Sequence, residues 1–201
     1  MRKNNTLQGV LVAGGLTLAL SGAAYAATPS GEMLGNTCAG CHGTHGNSQG
    51  PATPTITGIS KEFFIEAMEA YKNDQGNPTI MNRIAKGYTA EEIAAMAEYF
   101  TNRKFEAHKQ EFDVKTAKRG YILHDKFCEK CHENGGRSKD DDAGILAGQW
   151  SLYVRWSIQD YIAEKREAPK KMKGKLNDAV EKVGEEDAIE QLVNYYASQV
   201  D

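Results

Sequence analysis

Two pentapeptides carry the chemistry of this chain: Cys38-Ala39-Gly40-Cys41-His42 and Cys128-Glu129-Lys130-Cys131-His132. Each sets two thiols three residues apart on one helical turn, with an imidazole directly after the second. That spacing suits covalent haem attachment. The thiols reach the two vinyl groups on one edge of the porphyrin, and the histidine turns its ring toward the iron. A zinc ribbon separates its cysteine pairs by ~15–20 residues, whereas these pairs stand 90 positions apart. Redox dithiols and plain disulfides need no following histidine. With 5 His in 201 residues, a histidine after both pairs is far from a chance event.

An iron held by one histidine keeps a sixth position, and its occupant separates a carrier from a catalyst. A methionine raises the potential and closes the iron, while an open position admits small molecules. After the first residue the methionines are Met33, Met68, Met81, Met96 and Met172. Met33, Met68 and Met96 are expected on helix faces as core filler. Met81 and Met172 differ: each lies 39–40 residues after its haem histidine and follows a proline as Pro-x-x-Met, from Pro78 and Pro169. Proline disfavours helix in the residues before it, so each methionine is expected in a loop that offers a thioether across the ring.

The expected site is therefore Cys38, Cys41, Cys128 and Cys131 for two covalently bound haem c groups, with His42, Met81, His132 and Met172 as axial ligands. No catalytic residue is assigned. His45, His108 and His124 are expected at the surface or behind the sites. Each haem histidine must also donate its second ring N–H, usually to a backbone carbonyl. The Pro51–Pro54 stretch offers one in the first half. The second half has no proline there, and Asp141 or Gly144 leaves the choice open.

These residues need elements to hold them, and the chain supplies the elements twice. A shift of 90 superposes the two cysteine motifs, and also Gly58 on Gly148, Phe63 on Tyr153 and Tyr71 on Tyr161. The shift grows to 91 at the prolines and 96 at the last helix, so the second unit carries about five extra residues after its methionine. Short helices are expected to lead into each motif, around Gly31–Cys38 and Ala117–Cys128. Ser60 caps a helix to about Tyr71, with a counterpart from Trp150 to Ala163. Thr89-Ala90-Glu91-Glu92 is a capping box opening a helix to about Lys104. Its apolar face is Ile93, Met96, Ala97 and Phe100, matched in the last helix by Ile189, Leu192, Val193 and Tyr196. No strand pattern stands out, so the expectation is an all-α fold of two tandem related domains, 27–108 and 109–201, linked near Phe105–Asp113. Units this small bury little apolar surface alone, and a covalent haem completes the core.

Residues 1–26 read as a secretory signal peptide. Arg2 and Lys3 precede an apolar run from Val10 to Leu20, and Ala24-Tyr25-Ala26 is a cleavage site of the A-x-A kind. The run is too short for a bilayer core, which needs ~20 apolar residues. Cleavage after Ala26, export to the periplasm and no membrane span are expected. The balance of 24 Lys+Arg against 27 Asp+Glu gives no support for nucleic-acid binding. Lys165, Arg166, Lys170, Lys171, Lys173 and Lys175 surround Met172, as either a solvated face or a docking ring for an acidic partner.

The stretches Cys38–Ile56, Thr79–Tyr88, Leu123–His132, Ile145–Trp150 and Tyr195–Gln199 resemble the cytochrome subunit of flavocytochrome c sulfide dehydrogenases. More broadly the chain resembles the two-domain diheme cytochromes c of the periplasm, over nearly all of 31–199. The resemblance implies two class I cytochrome c domains, a partner flavoprotein bearing FAD that oxidises sulfide, and a soluble acceptor such as a small cytochrome c. All four cysteines are consumed by the motifs and no G-x-G-x-x-G fingerprint appears. The chain itself is thus expected to relay electrons, with sulfide oxidation on another polypeptide. The alternatives are a free-standing diheme carrier between respiratory or photosynthetic complexes, and a diheme peroxidase or thiosulfate-oxidising enzyme with an open iron.

Overall fold

The computed structural model describes residues 28–140 and 143–200. The expected leader and Asp141 lie outside the described residues. The first unit opens with α1 (Gly31–Asn36), capped by Ser30, whose Oγ accepts from the Met33 N–H at 3.2 Å. α2 (Ala39–His42) holds the first cysteine motif. Ser60 Oγ accepts from the Phe63 N–H at 3.1 Å and starts α3 (Lys61–Lys72), and α4 (Met81–Ala85) follows. The capping box forms as expected: the Glu92 N–H donates to Thr89 Oγ1 at 3.2 Å and the Thr89 N–H to Glu92 Oε2 at 2.8 Å. It opens α5 (Ala90–Thr101).

The second unit repeats this order with α6 (Val114–Leu123), a π turn over His124–Cys128, α7 (Glu133–Gly136), α8 (Ser151–Ile162), α9 (Lys170–Val183) and α10 (Glu185–Ala197). No strand occurs among the described residues. The duplication extends to single backbone bonds. The Ile56 N–H donates to the Gly46 carbonyl and the Leu146 N–H to the Gly136 carbonyl; Gly58 donates to Phe100 and Gly148 to Tyr196. The extra residues of the second unit lengthen α9, the counterpart of the short α4.

Each unit has its own core. Ile93, Met96, Ala97 and Phe100 are buried with Leu34, Phe64 and Met68 in the first; Ile189, Leu192, Val193 and Tyr196 with Leu123 and Val154 in the second. Both expected apolar faces are thus the buried ones. Met33 departs from its expected core role, at 66% exposure. α1 turns Gly31, Leu34 and Gly35 toward α5, which leaves Met33 on its outer side.

The crossing of first and last helix in each unit depends on a glycine. A Cβ on Gly31 would collide with the Ala95 carbonyl, and one on Gly120 with the Gln191 carbonyl. Gly120 stands one residue further from its motif than Gly31 does. The π turn absorbs that residue: the Glu129 N–H donates to the His124 carbonyl at 2.8 Å, one residue beyond helical register.

The segment between α5 and α6 runs along the contact of the two units. The His108 N–H donates to the Gly148 carbonyl at 2.9 Å, and the His108 ring stacks on Trp150 at 4.6 Å. Asn77 Nδ2 donates to Asp160 Oδ1 at 2.9 Å across the same boundary. No helix among the described residues is long and apolar enough to cross a membrane.

Candidate functional site

In both motifs the histidine N–H donates back to the first cysteine carbonyl, His42 to Cys38 and His132 to Cys128, each at 2.9 Å. This one turn of helix puts both thiols and the imidazole on a short arc. The four thiols form no disulfides; Cys38 and Cys128 are half-buried, Cys41 and Cys131 exposed. Burial raises the Cys38 thiol and pushes Cys128 up to about 11, so both are thiols at neutral pH. No cluster of three or more His, Cys, Asp or Glu suited to a bare metal ion occurs among the described residues.

His42 is buried, and its Nδ1–H donates to the Pro54 carbonyl at 2.8 Å. A carbonyl only accepts, so the proton is on Nδ1 and the lone pair is on Nε2. Burial pushes the ring below its ordinary pKa, with the Pro54 bond opposing, and keeps it neutral as a metal ligand requires. The expected carbonyl from the Pro51–Pro54 stretch is therefore Pro54.

His132 has the same local turn and a different surrounding. Its Nδ1 is buried and makes no hydrogen bond among the described residues. The Gly144 carbonyl faces it and favours the protonated form, yet stands outside hydrogen-bond geometry; burial and His124 push the pKa down. Gly144, one of the two groups left open by the sequence, is set near His132, and Asp141 lies outside the described residues.

Met81 and Met172 are half-buried and belong to helices rather than loops, a correction to the expected setting. Met81 is the first residue of α4, and Met172 lies in the first turn of α9, which Pro169 precedes as N-cap. Proline is well tolerated at a helix start, so Pro-x-x-Met reads here as a helix beginning. Met81 packs against the first core. Thr37, just before Cys38, is bonded to the Tyr88 hydroxyl at 2.8 Å and ties the stretch after α4 to the first motif. α9 packs on the π turn that carries Cys128, with Lys175 Nζ 5.9 Å from the Phe127 ring centre.

The other histidines divide. His45 is exposed, with Nδ1 3.0 Å from the Tyr99 hydroxyl. His124 is 1% exposed, deeper than a surface residue. Its Nε2–H donates to Glu129 Oε2 at 2.5 Å, and the Tyr196 hydroxyl donates to Nδ1 at 3.0 Å. Glu129 also accepts from the N–H groups of Asn134 and Gly135. Helical spacing puts His124 on the buried face of α6, four residues after Gly120, and the network needs Tyr196 and Glu129 brought to it.

Of the expected basic ring, Arg166 turns away. Its Nη1 donates to Ser157 Oγ at 3.3 Å and to the Tyr153 hydroxyl at 3.5 Å, and its guanidinium lies 4.9 Å from the Tyr161 ring centre. Lys173 is paired with Glu164 at 2.6 Å and Lys175 with Asp178 at 3.1 Å. Lys170 and Lys171 remain exposed at the start of α9.

These residues fit haem c. A ring nitrogen fixed by Pro54, unpaired thiols at the right spacing, and the exposed apolar side chains of Ile80 and Ile84 near Met81 are what a bound porphyrin would use.

Comparison with known proteins agrees. Residues 30–104 match the family model described as cytochrome c. The cytochrome subunit of sulfide dehydrogenase from Chlorobaculum tepidum is 49% identical over 78 residues, 39% of this chain and 70% of that protein. Cytochrome c4 of Pseudomonas aeruginosa is 26% identical over 156 residues, 73% of this chain and 77% of that protein. The structure of reduced cytochrome c4 from Pseudomonas stutzeri superposes with a TM-score of 0.71 at 20% identity, over 84% of this chain and 96% of that one.

Proposed function

The chain belongs to the cytochrome c family, and from that premise we propose that it relays electrons as the haem subunit of a periplasmic flavocytochrome c, taking them from a flavoprotein that oxidises sulfide. A bound haem supplies a one-electron ferric–ferrous couple. Cys38 with Cys41, and Cys128 with Cys131, hold two such groups by thioether bonds. His42 and His132 offer Nε2 to the irons. Met81 and Met172 would supply a thioether each as the second protein ligand, which would leave neither iron open to exchangeable ligands. The leader is removed after Ala26, and the two domains are 27–108 and 109–201.

The observation that carries this reading is the duplicated Cys-x-x-Cys-His turn, with His42 locked in one tautomer by Pro54 at 2.8 Å. Closed irons and no free thiol suit a relay and leave sulfide chemistry to the partner. The choice of partner is supported by the 49% identity to the sulfide dehydrogenase cytochrome subunit. Purification from its native source is the test. Flavin and haem in a fixed ratio, on separate polypeptides, support the subunit reading. A diheme protein free of flavin contradicts it.

One observation favours a second reading. Similarity to cytochrome c4 extends over 73% of the chain, against 39% for the sulfide dehydrogenase subunit. A free-standing diheme carrier is the reading that survives if no flavoprotein accompanies the chain.

A further inference from the structure

The Pro54–Thr55 peptide makes a hydrogen bond at each end. Its carbonyl accepts from His42 Nδ1–H at 2.8 Å, and its N–H donates to Gln149 Oε1 at 3.0 Å. Gln149 Nε2 donates in turn to the Thr55 carbonyl at 2.9 Å. One side-chain amide thus pairs both backbone groups of Thr55, as a neighbouring strand would. The pairing fixes its orientation, since a flipped amide would set donor against donor and oxygen against oxygen.

Gln149 comes from the second unit and is 3% exposed. It is itself held. Its Oε1 also accepts from the Trp150 N–H at 3.1 Å, and its carbonyl accepts from Gln110 Nε2 at 2.8 Å. On the far side, Thr55 Oγ1 accepts from the Ser48 N–H at 3.0 Å and is bonded to His108 Nε2 at 2.7 Å. The peptide behind His42 is therefore clamped by groups from both units.

We infer that Gln149 is a positioning residue acting across the unit boundary, one that sets the electron-donating strength of His42 toward the first haem through the Pro54–Thr55 peptide. A peptide whose N–H is bonded to an acceptor has a stronger carbonyl acceptor, because hydrogen bonds in a chain polarise one another. A stronger Pro54 carbonyl draws the Nδ1 proton and makes the imidazole a more basic ligand. A more basic ligand favours ferric iron and lowers the reduction potential. The effect is one-sided. The repeat places Ile59, a buried aliphatic residue, where the second unit has Gln149, and His132 Nδ1 has no bonded partner among the described residues. This inference rests on the assignment of His42 as an axial ligand.

The test is a spectroelectrochemical titration of the holoprotein, with NMR of the haem methyls assigning each potential to its haem. Gln149→Met keeps volume and removes both bonds to Thr55, together with the one from the Trp150 N–H. It raises the first potential, by up to about tenfold in the one-electron equilibrium, or ~59 mV, and leaves the second in place. Gln149→Glu keeps an acceptor for the Thr55 N–H and leaves the first potential at or below its native value. An unmoved first potential in Gln149→Met, or both potentials shifted alike, overturns the inference. If Gln149→Met does not fold, a raised first potential in Gln149→Glu overturns it instead. Absence of a histidine-ligated haem at Cys38–Cys41 in the unaltered protein would show up in its spectrum beforehand, and would fault the ligand assignment rather than the role of Gln149.

Discussion

His42 Nδ1–H and the Pro54 carbonyl, 12 residues apart, meet at 2.8 Å, and among the described residues no equal bond forms at His132. Two imidazoles that start from the same five-residue motif thus face different partners. A bonded imidazole is the more basic ligand, so the first haem is expected to have the lower of two potentials. An NMR-monitored redox titration, reading each haem separately, checks the order. The reverse order would show that burial or charge outweighs the Pro54 bond.

The helix crossings set a second expectation. A Cβ at Gly120 meets the Gln191 carbonyl, whereas a Cβ at Gly174, inside α9, meets nothing within 4 Å. Gly120→Ala is expected to cost about 1–3 kcal/mol by overpacking. Gly174→Ala is expected to stabilise by roughly 0.5–1 kcal/mol, through helix propensity alone. Guanidinium midpoints of the holoprotein compare the two, and equal effects would contradict the crossing geometry.

Stability should fall on acidification. Burial holds His124 below its ordinary pKa, against the opposing bond to Glu129. The unfolded chain takes up that proton first, near pH 6.5, so lowering the pH from there favours unfolding. At Glu129 burial acts upward, but the His124 bond and the Gly135 and Asn134 N–H groups outweigh it and hold the carboxyl low. Its contribution is present above the usual carboxylate range and is lost as pH falls through its folded value. Denaturation midpoints from pH 7.5 to 4 should decline throughout, and His124→Gln should flatten the upper part. A level profile between pH 7.5 and 5 would contradict the buried His124.

Beside Met172, Lys171 is exposed and has no carboxylate within ion-pair distance among the described residues, whereas Lys173 is paired with Glu164. Lys171→Glu is expected to slow electron exchange with an acidic redox protein by about threefold or more at low salt, an effect that added salt removes. Lys173→Glu makes the same change in charge and should slow exchange comparably. Stopped-flow rates that are unchanged in Lys171→Glu would assign this face to solvent.

Much of this architecture was legible in the residues. The Cys-x-x-Cys-His turns need one fixed spacing, and Thr89 with Glu92 announces a helix start whatever lies beyond it. The apolar faces of α5 and α10 follow from periodicity. Three features were not legible, each because it depends on what another element does. The π turn arises from one inserted residue between Gly120 and Cys128, invisible when the repeat is aligned on the cysteines. Arg166 looks like its lysine neighbours until Tyr153 and Tyr161 surround it. Gln149 is a polar residue in a short turn, and only the approach of Thr55 from the other unit gives it a role.

Carbon monoxide added to the native ferrous protein tests the central claim, that each iron is closed by an imidazole and a thioether. The expected result is no spectral change in the native protein. Met81→Ala and Met172→Ala should each open one iron and take up one equivalent. Stoichiometric uptake at either centre of the unaltered protein would contradict the assignment of Met81 or Met172, and with it the reading of this chain as a closed relay.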